Sequence, residues 1–484
     1  MTTVHTPRPR RMRHTFPAMV ISLTALSACS RVDFGSPPRA NATTAAALEP
    51  WSAGQPSHHP DWSRKAVIYE VNIRQYTPAG TFAAFTKALP RLKDLGIDIL
   101  WIMPVQPIGK LNRKGTLGSY YSISNYTAVN PEFGNEADFK AMVDAAHASG
   151  FKVILDWVAN HTAFDHTWTV AHKNWYTLHP DGSISRAIDE KGKETDWSDV
   201  ADLNYDNKEM RAAMIAEMRW WLDTTGIDGF RCDVAGLVPY DFWAEVRAAL
   251  QASKPDLFFL AEWEDPALHP SFDMTYGWGL YHLMNDVASG KQKASALDAY
   301  FTDFEGKFPA DAYRMNFTSN HDENSWNGTE FQRMGANHQA AFVLSALTKN
   351  SMPLLYSGQE VSFNRRLAFF EKDSIDWTGA SLADFYKRIF ELRHTQDVVW
   401  NGDFGAPQTK LATDRADHVY AFTRARADKS VVVVTNFGDT PASVKYTGLR
   451  PAGAYTDWFS KAAVTLASGG TIDVPAHGYR VFVK

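Results

Sequence analysis

The stretch KEMRAAMIAEMRWWLDTTGIDGFRCDV, residues 208–234, changes its hydrophobic period midway. Met210, Met214, Met218 and Leu222 recur at helical spacing and predict a helix with one apolar stripe. Gly226 follows, where a helix C-terminus takes a left-handed residue before the chain turns back. Residues 227–233 then read as a β-strand that runs into a polar cluster. The same unit occurs twice upstream, in pattern rather than in letters. A strand over residues 67–73 precedes a stripe of Phe82, Phe85, Leu89 and Leu92, then Gly96 and a strand over 97–103. Phe139, Met142, Val143 and Ala146 lead to Gly150 and a strand over 151–155. Strand-like runs continue downstream at 257–261, 272–276, 315–319 and 353–356, which brings the candidates to eight.

Eight strands alternating with helices predict an α/β fold, a parallel (β/α)8 TIM barrel over residues 61–395. An open doubly wound sheet fits less well, because no Gly-rich phosphate loop follows the first strand. One connection is abnormally long: residues 161–207, after the third strand, are polar and rich in Trp and Asp. A loop of that length in a compact domain is usually functional, and it is expected to form a small subdomain over the barrel mouth. From residue 396 to 484 the helical period stops, and short strand runs separated by Gly, Pro and Asp predict a C-terminal antiparallel β-sandwich.

The N-terminus carries Arg8, Arg10, Arg11 and Arg13 ahead of an apolar run over residues 16–28 that is too short to span a bilayer. Small residues lead into Cys29, which resembles a bacterial lipobox. The expectation is a signal peptide over residues 1–29, lipidation of Cys29, a flexible Ala/Ser/Thr/Pro-rich tether over 30–60, and export to the bacterial cell envelope, held at the outer membrane or periplasmic face. Membrane association would be through that anchor alone. Cys232 is then the one other cysteine, so the mature chain has no pair to form a disulfide. With a net charge of -5 and no dense Lys/Arg cluster after the leader, nucleic acid is excluded as a partner, and a neutral substrate is expected. The 16 Trp, 18 Tyr and 29 Phe supply flat rings suited to sugar faces, although a large core accounts for most of them.

In a barrel of this kind the chemistry sits at the C-terminal ends of the strands. Four of those ends are polar here. The third runs Asp156-Trp157-Val158-Ala159-Asn160-His161, and the fourth Gly229-Phe230-Arg231-Cys232-Asp233. The fifth ends Leu260-Ala261-Glu262, and the seventh Phe317-Thr318-Ser319-Asn320-His321-Asp322-Glu323. A lone Asp at such a place is more often a cap or turn residue, but four converging ends are harder to dismiss.

These four segments, in order, resemble the signature regions of the α-amylase family of glycoside hydrolases, over roughly residues 65–395. Ala201-Asp202-Leu203-Asn204 and Val67-Ile68-Tyr69-Glu70-Val71 are also similar to that family. The resemblance implies a retaining hydrolase acting on α-1,4-linked glucan or maltooligosaccharide; a monomer is expected. It implies Asp233 as nucleophile, Glu262 as general acid/base and Asp322 as the carboxylate that binds substrate hydroxyls. His161, His321 and Tyr121 are implied to contact the sugar before the cleaved bond, with Tyr120 the alternative for Tyr121. The reaction itself needs no cofactor. Asn160 and Asp202 match oxygen ligands of a structural Ca²⁺ found in many members and missing from several.

Acetal cleavage through an oxocarbenium-like state explains these residue types, since it requires one ionised and one protonated carboxyl. Arg231 shares a strand face with Asp233 and is expected to keep it ionised, leaving the proton on Glu262. Glu264 is assigned to the rim, Asp156 to a structural hydrogen bond deeper in the barrel, and Cys232 to the core. Two rival functions remain: a transglycosylase or isomerase on the same scaffold, and a non-catalytic glucan-binding lipoprotein. The intact set Arg231, Asp233, Glu262 and Asp322 speaks against the second.

Overall fold

The computed structural model describes residues 59–484. Cys29, the signal peptide and nearly all of the expected tether lie outside the described residues. Eight strands close into an all-parallel barrel: β1 (Ile68–Val71), β2 (Ile99–Ile102), β3 (Lys152–Trp157), β4 (Gly229–Cys232), β5 (Phe258–Ala261), β6 (Met274–Tyr276), β7 (Tyr313–Asn316) and β8 (Ser351–Tyr356). Each pairs with its sequence neighbours, and β8 returns to β1 through the register Ile68 with Leu354 and Glu70 with Tyr356. The predicted barrel is therefore present, strand for strand. Its seventh strand lies two residues earlier than expected and ends at Asn316, so Asn320, His321 and Asp322 ride on the segment beyond it.

Strand alternation separates two cores. Ile68, Ile99, Trp101, Ile154, Phe258, Leu260, Met274, Met315 and Leu354 fill the barrel interior. Val71, Leu100, Leu155, Phe230, Cys232 and Phe259 face outward into the helical layer. Gly229 points inward, where an added Cβ would fall 1.9 Å from the carbonyl oxygen of Phe258; only glycine lets β4 and β5 approach this closely.

The helices follow the predicted stripes. Helix Glu136–Ala148 buries Phe139, Met142, Val143 and Ala146, and helix Lys208–Thr225 buries the expected Met and Leu residues. Each such side chain contributes about 1.5–3 kcal/mol of burial, enough to dock a helix whose propensity alone is marginal. Asn207 caps the second helix by accepting from the N–H groups of Glu209 and Met210, and Gly226 ends it at φ 76°. The first predicted helix is broken instead into Phe82–Thr86 and Leu89–Leu95. Pro90 lacks an N–H and restricts the residue before it, so the helix restarts there.

The long connection leaves the barrel after β3. Its base is an antiparallel ribbon of His161–Ala163 and Val200–Asp202. Tyr205 Oη donates to the carbonyl of Ala159 at 2.7 Å, and the N–H of Ala163 donates to the carbonyl of Ile123 at 2.8 Å. These bonds seat the excursion against the loop that carries Tyr121. After helix Ala383–Thr395 the chain builds two antiparallel sheets, six-stranded and three-stranded, around a separate core that includes Val432, Val434, Tyr446 and Ile472. Buried Arg424 in the larger sheet donates to the carbonyls of Leu347 and Thr348 in the barrel at 3.2 and 2.9 Å, fixing the sandwich to the side of the barrel. No helix among the described residues is long and apolar enough to cross a membrane.

Candidate active site

On five of the eight strands the interior row ends, at the C-terminal rim, in a polar side chain where its apolar run stops. Glu70 ends the inward row of β1, Asp156 that of β3, Arg231 and then Asp233 that of β4, Glu262 that of β5 and Tyr276 that of β6. Arg231 lies at the centre, fully buried. Its Nη1 donates to Asp156 Oδ1 at 2.9 Å and Asp233 Oδ1 at 3.1 Å, and its Nε donates to Tyr276 Oη at 3.2 Å. Nη2 makes an ion contact of 2.7 Å with Glu262 Oε1, at an angle that forms no hydrogen bond. The backbone N–H of Val234 donates to the other Glu262 oxygen at 2.8 Å. One guanidinium thus gathers three carboxylates.

This sharing alters the protonation expected from sequence. Burial first, then the neighbouring Glu262 and Asp156 carboxylates, push Asp233 well above the ordinary carboxylate range, against the pull of Arg231. The sequence predicts a guanidinium that holds Asp233 ionised; with its charge divided three ways and the longest of its three carboxyl contacts going to Asp233, its pull does not offset burial and the neighbouring acids. Asp156 is itself pushed up to about 6, chiefly by burial and despite Arg231 and His321.

Asp156 Oδ2 accepts from Trp101 Nε1 and Tyr121 Oη, both at 3.1 Å. Tyr121 Oη also meets His321 Nε2 at 2.8 Å, and the two rings stack 5.5 Å apart. On its other side His321 Nδ1 lies 2.5 Å from Glu70 Oε1. Burial opposes a charge on this imidazole, yet Asp322 and Glu70 together push it well above its usual value, which favours the imidazolium. Asp322 sits 3.3 Å from His321 Nε2, and although burial acts the other way, that cation holds its carboxyl below the ordinary range. A continuous chain therefore links Glu70, His321, Tyr121, Asp156 and Arg231 to the two carboxyls Asp233 and Glu262.

The structure brings together Asp233, Glu262, Asp322, Arg231, His321 and Tyr121. The Tyr120 alternative points elsewhere, with its ring under the Arg74 guanidinium at 4.3 Å. His161 is buried beside Trp197, its Nδ1 at 3.2 Å from the Asn160 amide nitrogen, and burial lowers it to about 3, which keeps it neutral. Glu264 is not a rim residue: its side chain is 3% exposed, pairs with Arg314 and accepts from the N–H of Gly279 at 2.7 Å. Glu323 turns inward to the Tyr281 hydroxyl, which leaves Asp322 as the acid facing the mouth. Glu70, Trp101 and Tyr276 belong to the site and have no role that the sequence reading assigns. Glu70 carries a signal, an acid inside an apolar barrel strand; the two aromatic residues read as ordinary core.

Asn160 and Asp202 do not fit a calcium cage. Asp202 Oδ2 accepts from Thr177 Oγ1 at 2.7 Å and Oδ1 from the N–H of Ile188 at 3.1 Å, so protein donors inside the excursion occupy both oxygens. The Asn160 amide nitrogen meets His161 Nδ1 at 3.2 Å, and among the described residues no group of three or more His, Cys, Asp or Glu side chains is placed to hold a metal ion. Burial raises Asp202 to about 6, as expected for a carboxyl without a cationic partner.

A closed parallel barrel with a buried arginine spanning paired carboxyls at its C-terminal mouth is the layout of a barrel glycoside hydrolase. The family model described as alpha amylase, catalytic domain, matches residues 64–400, that for the alpha amylase C-terminal all-beta domain matches residues 411–483, and the chain belongs to the alpha-amylase family. It is 29% identical over 448 residues to the alpha-amylase MalA of Haloarcula japonica, a match covering 89% of this chain and 64% of that longer protein. An alpha-amylase from Lactobacillus plantarum superposes with a TM-score of 0.78 at 30% identity, covering 87% of this chain and 99% of its own. A noncanonic maltogenic alpha-amylase, AmyB, from Thermotoga neapolitana does so with a TM-score of 0.78 at 27% identity, covering 87% and 98%.

Proposed function

We propose that this protein is a retaining glycoside hydrolase that cleaves α-1,4-glucosidic bonds in starch, maltodextrin or related α-glucans. The observation that carries the reading is the single guanidinium of Arg231 spanning Asp233 and Glu262, at 3.1 and 2.7 Å. Carboxyls gathered on one fork suit the close pair of a retaining enzyme, about 5–5.5 Å apart, better than the wider pair that an inverting enzyme needs to admit water.

In this reading an Asp233 oxygen bonds to the anomeric carbon while the bond from that carbon to the leaving oxygen breaks, and Glu262 transfers its proton to that oxygen. Glu262, now a carboxylate, takes a proton from water as the water oxygen displaces Asp233 and releases the sugar. Asp233 must therefore be ionised, and Glu262 must carry the proton, when the first bond breaks. Substrate supplies the bias: positive charge developing at the anomeric carbon stabilises an ionised Asp233 beside it. Asp322, ionised by His321, is placed to accept hydrogen bonds from sugar hydroxyls, and Tyr121 with His321 offers a flat stacked face.

The lipoprotein reading of residues 1–29, with Cys29 lipidated, places the enzyme on the cell envelope and rests on the sequence alone. The test of function is proton NMR of maltoheptaose digestion. An α-anomer should appear first and then mutarotate. A β-anomer appearing first overturns the retaining assignment, and early products longer than maltoheptaose show that sugar acceptors outcompete water.

A further inference from the structure

We propose that Trp326 is a glucosyl-binding platform that also positions Asp322, extending the site from one sugar unit to a second; this rests on the α-glucan reading above. Trp326 is 47% exposed, one of four exposed large hydrophobic side chains among the described residues. Leu111, Val170 and Leu178 are the others, and none donates a side-chain hydrogen bond to a site residue. Trp326 does: its Nε1 donates to Asp322 Oδ1 at 3.2 Å, one turn back along the chain. The indole edge is thereby turned to the carboxylate while the ring stays open to solvent.

The ring does not stand alone. It lies 5.3 Å from Phe369 at 39° and 5.7 Å from Phe370. Phe369 stacks on Tyr121 at 6.3 Å and 15°, and Tyr121 stacks on His321. A line of aromatic faces therefore runs from the sugar position at the barrel centre, past Phe369, to Trp326 at the rim. Successive flat rings suit successive pyranose units of a glucan chain, whose apolar C–H faces stack on aromatic rings.

The turn that carries the indole is held rigidly. Arg366 donates to the carbonyls of Ser325 at 2.9 Å and Trp326 at 3.2 Å. Asn324 donates to the carbonyl of Arg365 at 3.2 Å and accepts from the N–H of Leu367 at 2.9 Å. A platform fixed before substrate arrives loses little conformational freedom on binding, which favours affinity. Apolar packing on Phe369 and Phe370 alone explains neither the exposed face nor the bond to Asp322.

Two substitutions separate the two roles. Trp326→Phe keeps a ring and removes the donor; Trp326→Ala removes both. Binding is measured by calorimetry with maltoheptaose in a Glu262→Gln background, where turnover does not interfere, and steady-state kinetics are measured in the otherwise wild-type protein. Trp326→Ala should weaken maltoheptaose binding roughly tenfold. With para-nitrophenyl α-glucoside, which needs one sugar position, KM in the same variant should rise by clearly less than maltoheptaose affinity falls, and kcat should drop because Asp322 has lost its indole partner. Trp326→Phe should bind maltoheptaose within about twofold of its parent while kcat falls, because Asp322 has lost a fixed partner. Equal affinity of the Ala variant and its parent for maltoheptaose overturns the platform, as does an equal loss on both substrates. An unchanged kcat in the Phe variant overturns the positioning role. If the Glu262→Gln parent itself binds no maltoheptaose, the α-glucan reading fails and this proposal falls with it.

Discussion

Asp156 touches no reacting atom in the proposed mechanism, yet it should set the pH at which the enzyme switches on. Asp156 and Asp233 both accept from Nη1 of Arg231, at 2.9 and 3.1 Å, so their oxygens lie at most about 6 Å apart. At an effective dielectric of about 20, two unit charges at that separation repel by roughly 3 kcal/mol, equivalent to about 2 pH units. Replacing Asp156 by Asn removes this repulsion and frees Nη1 for Asp233. Both effects favour the ionised form. Because Asp156 is pushed up to about 6 and is only partly charged below that pH, the realised shift should be about 1 unit. The acid limb of kcat/KM, which reports the free enzyme, should therefore move to lower pH in Asp156→Asn, even though kcat falls through loss of an acceptor for Trp101, Tyr121 and Arg231. Stability offers a second readout. A carboxyl whose folded-state value is raised binds more protons folded than unfolded, so it lowers stability as pH rises from about 4 to about 6. Asp156→Asn lacks that loss, and its deficit in thermal midpoint against wild type should shrink over the same window. An acid limb that stays in place or moves upward would refute the electrostatic account of Asp233.

Three further outcomes follow from the same geometry. Glu262→Gln should lose at least about a thousandfold in kcat while still binding glucan, because the proton is required in the transition state rather than for stacking; starch clearance by this variant would remove Glu262 from its role. Glu70→Gln takes a negative neighbour away from His321, so the imidazole titration followed by NMR should move to lower pH, and no movement would mean that Asp322 alone holds the charge. Because both Asp202 oxygens are taken by protein donors, neither excess Ca²⁺ nor a chelator should change the thermal midpoint by more than about 1 °C, a shift on the scale of a fraction of a kcal/mol.

Much of this site was legible from strand period alone. Once residues 227–233 are read as a barrel strand, alternation puts Arg231 and Asp233 on the inner face and Cys232 on the outer, and the structure shows that division. Glu262 follows directly from an apolar run that stops. Asp322 is found for a different reason, its motif, since the strand proper ends six residues earlier and a non-strand segment carries the acid to the rim. Trp101 and Tyr276 could not be recognised, because an aromatic residue in an apolar strand reads as packing until its polar edge is seen to meet Asp156 or Arg231.

By itself the sequence determined the barrel, its helical stripes, the polar strand ends and the order in which they come, because all of these depend on local periodicity and on which residue types interrupt it. Tertiary structure alone decided where the charges go. The Glu264 side chain became a buried partner of Arg314, Asp202 was satisfied by Thr177 and Ile188, and Arg231 was divided among three acids while burial pushed Asp233 above the ordinary carboxylate range. Protonation depends on distances and burial between segments far apart in the chain, and no period along the sequence encodes those distances.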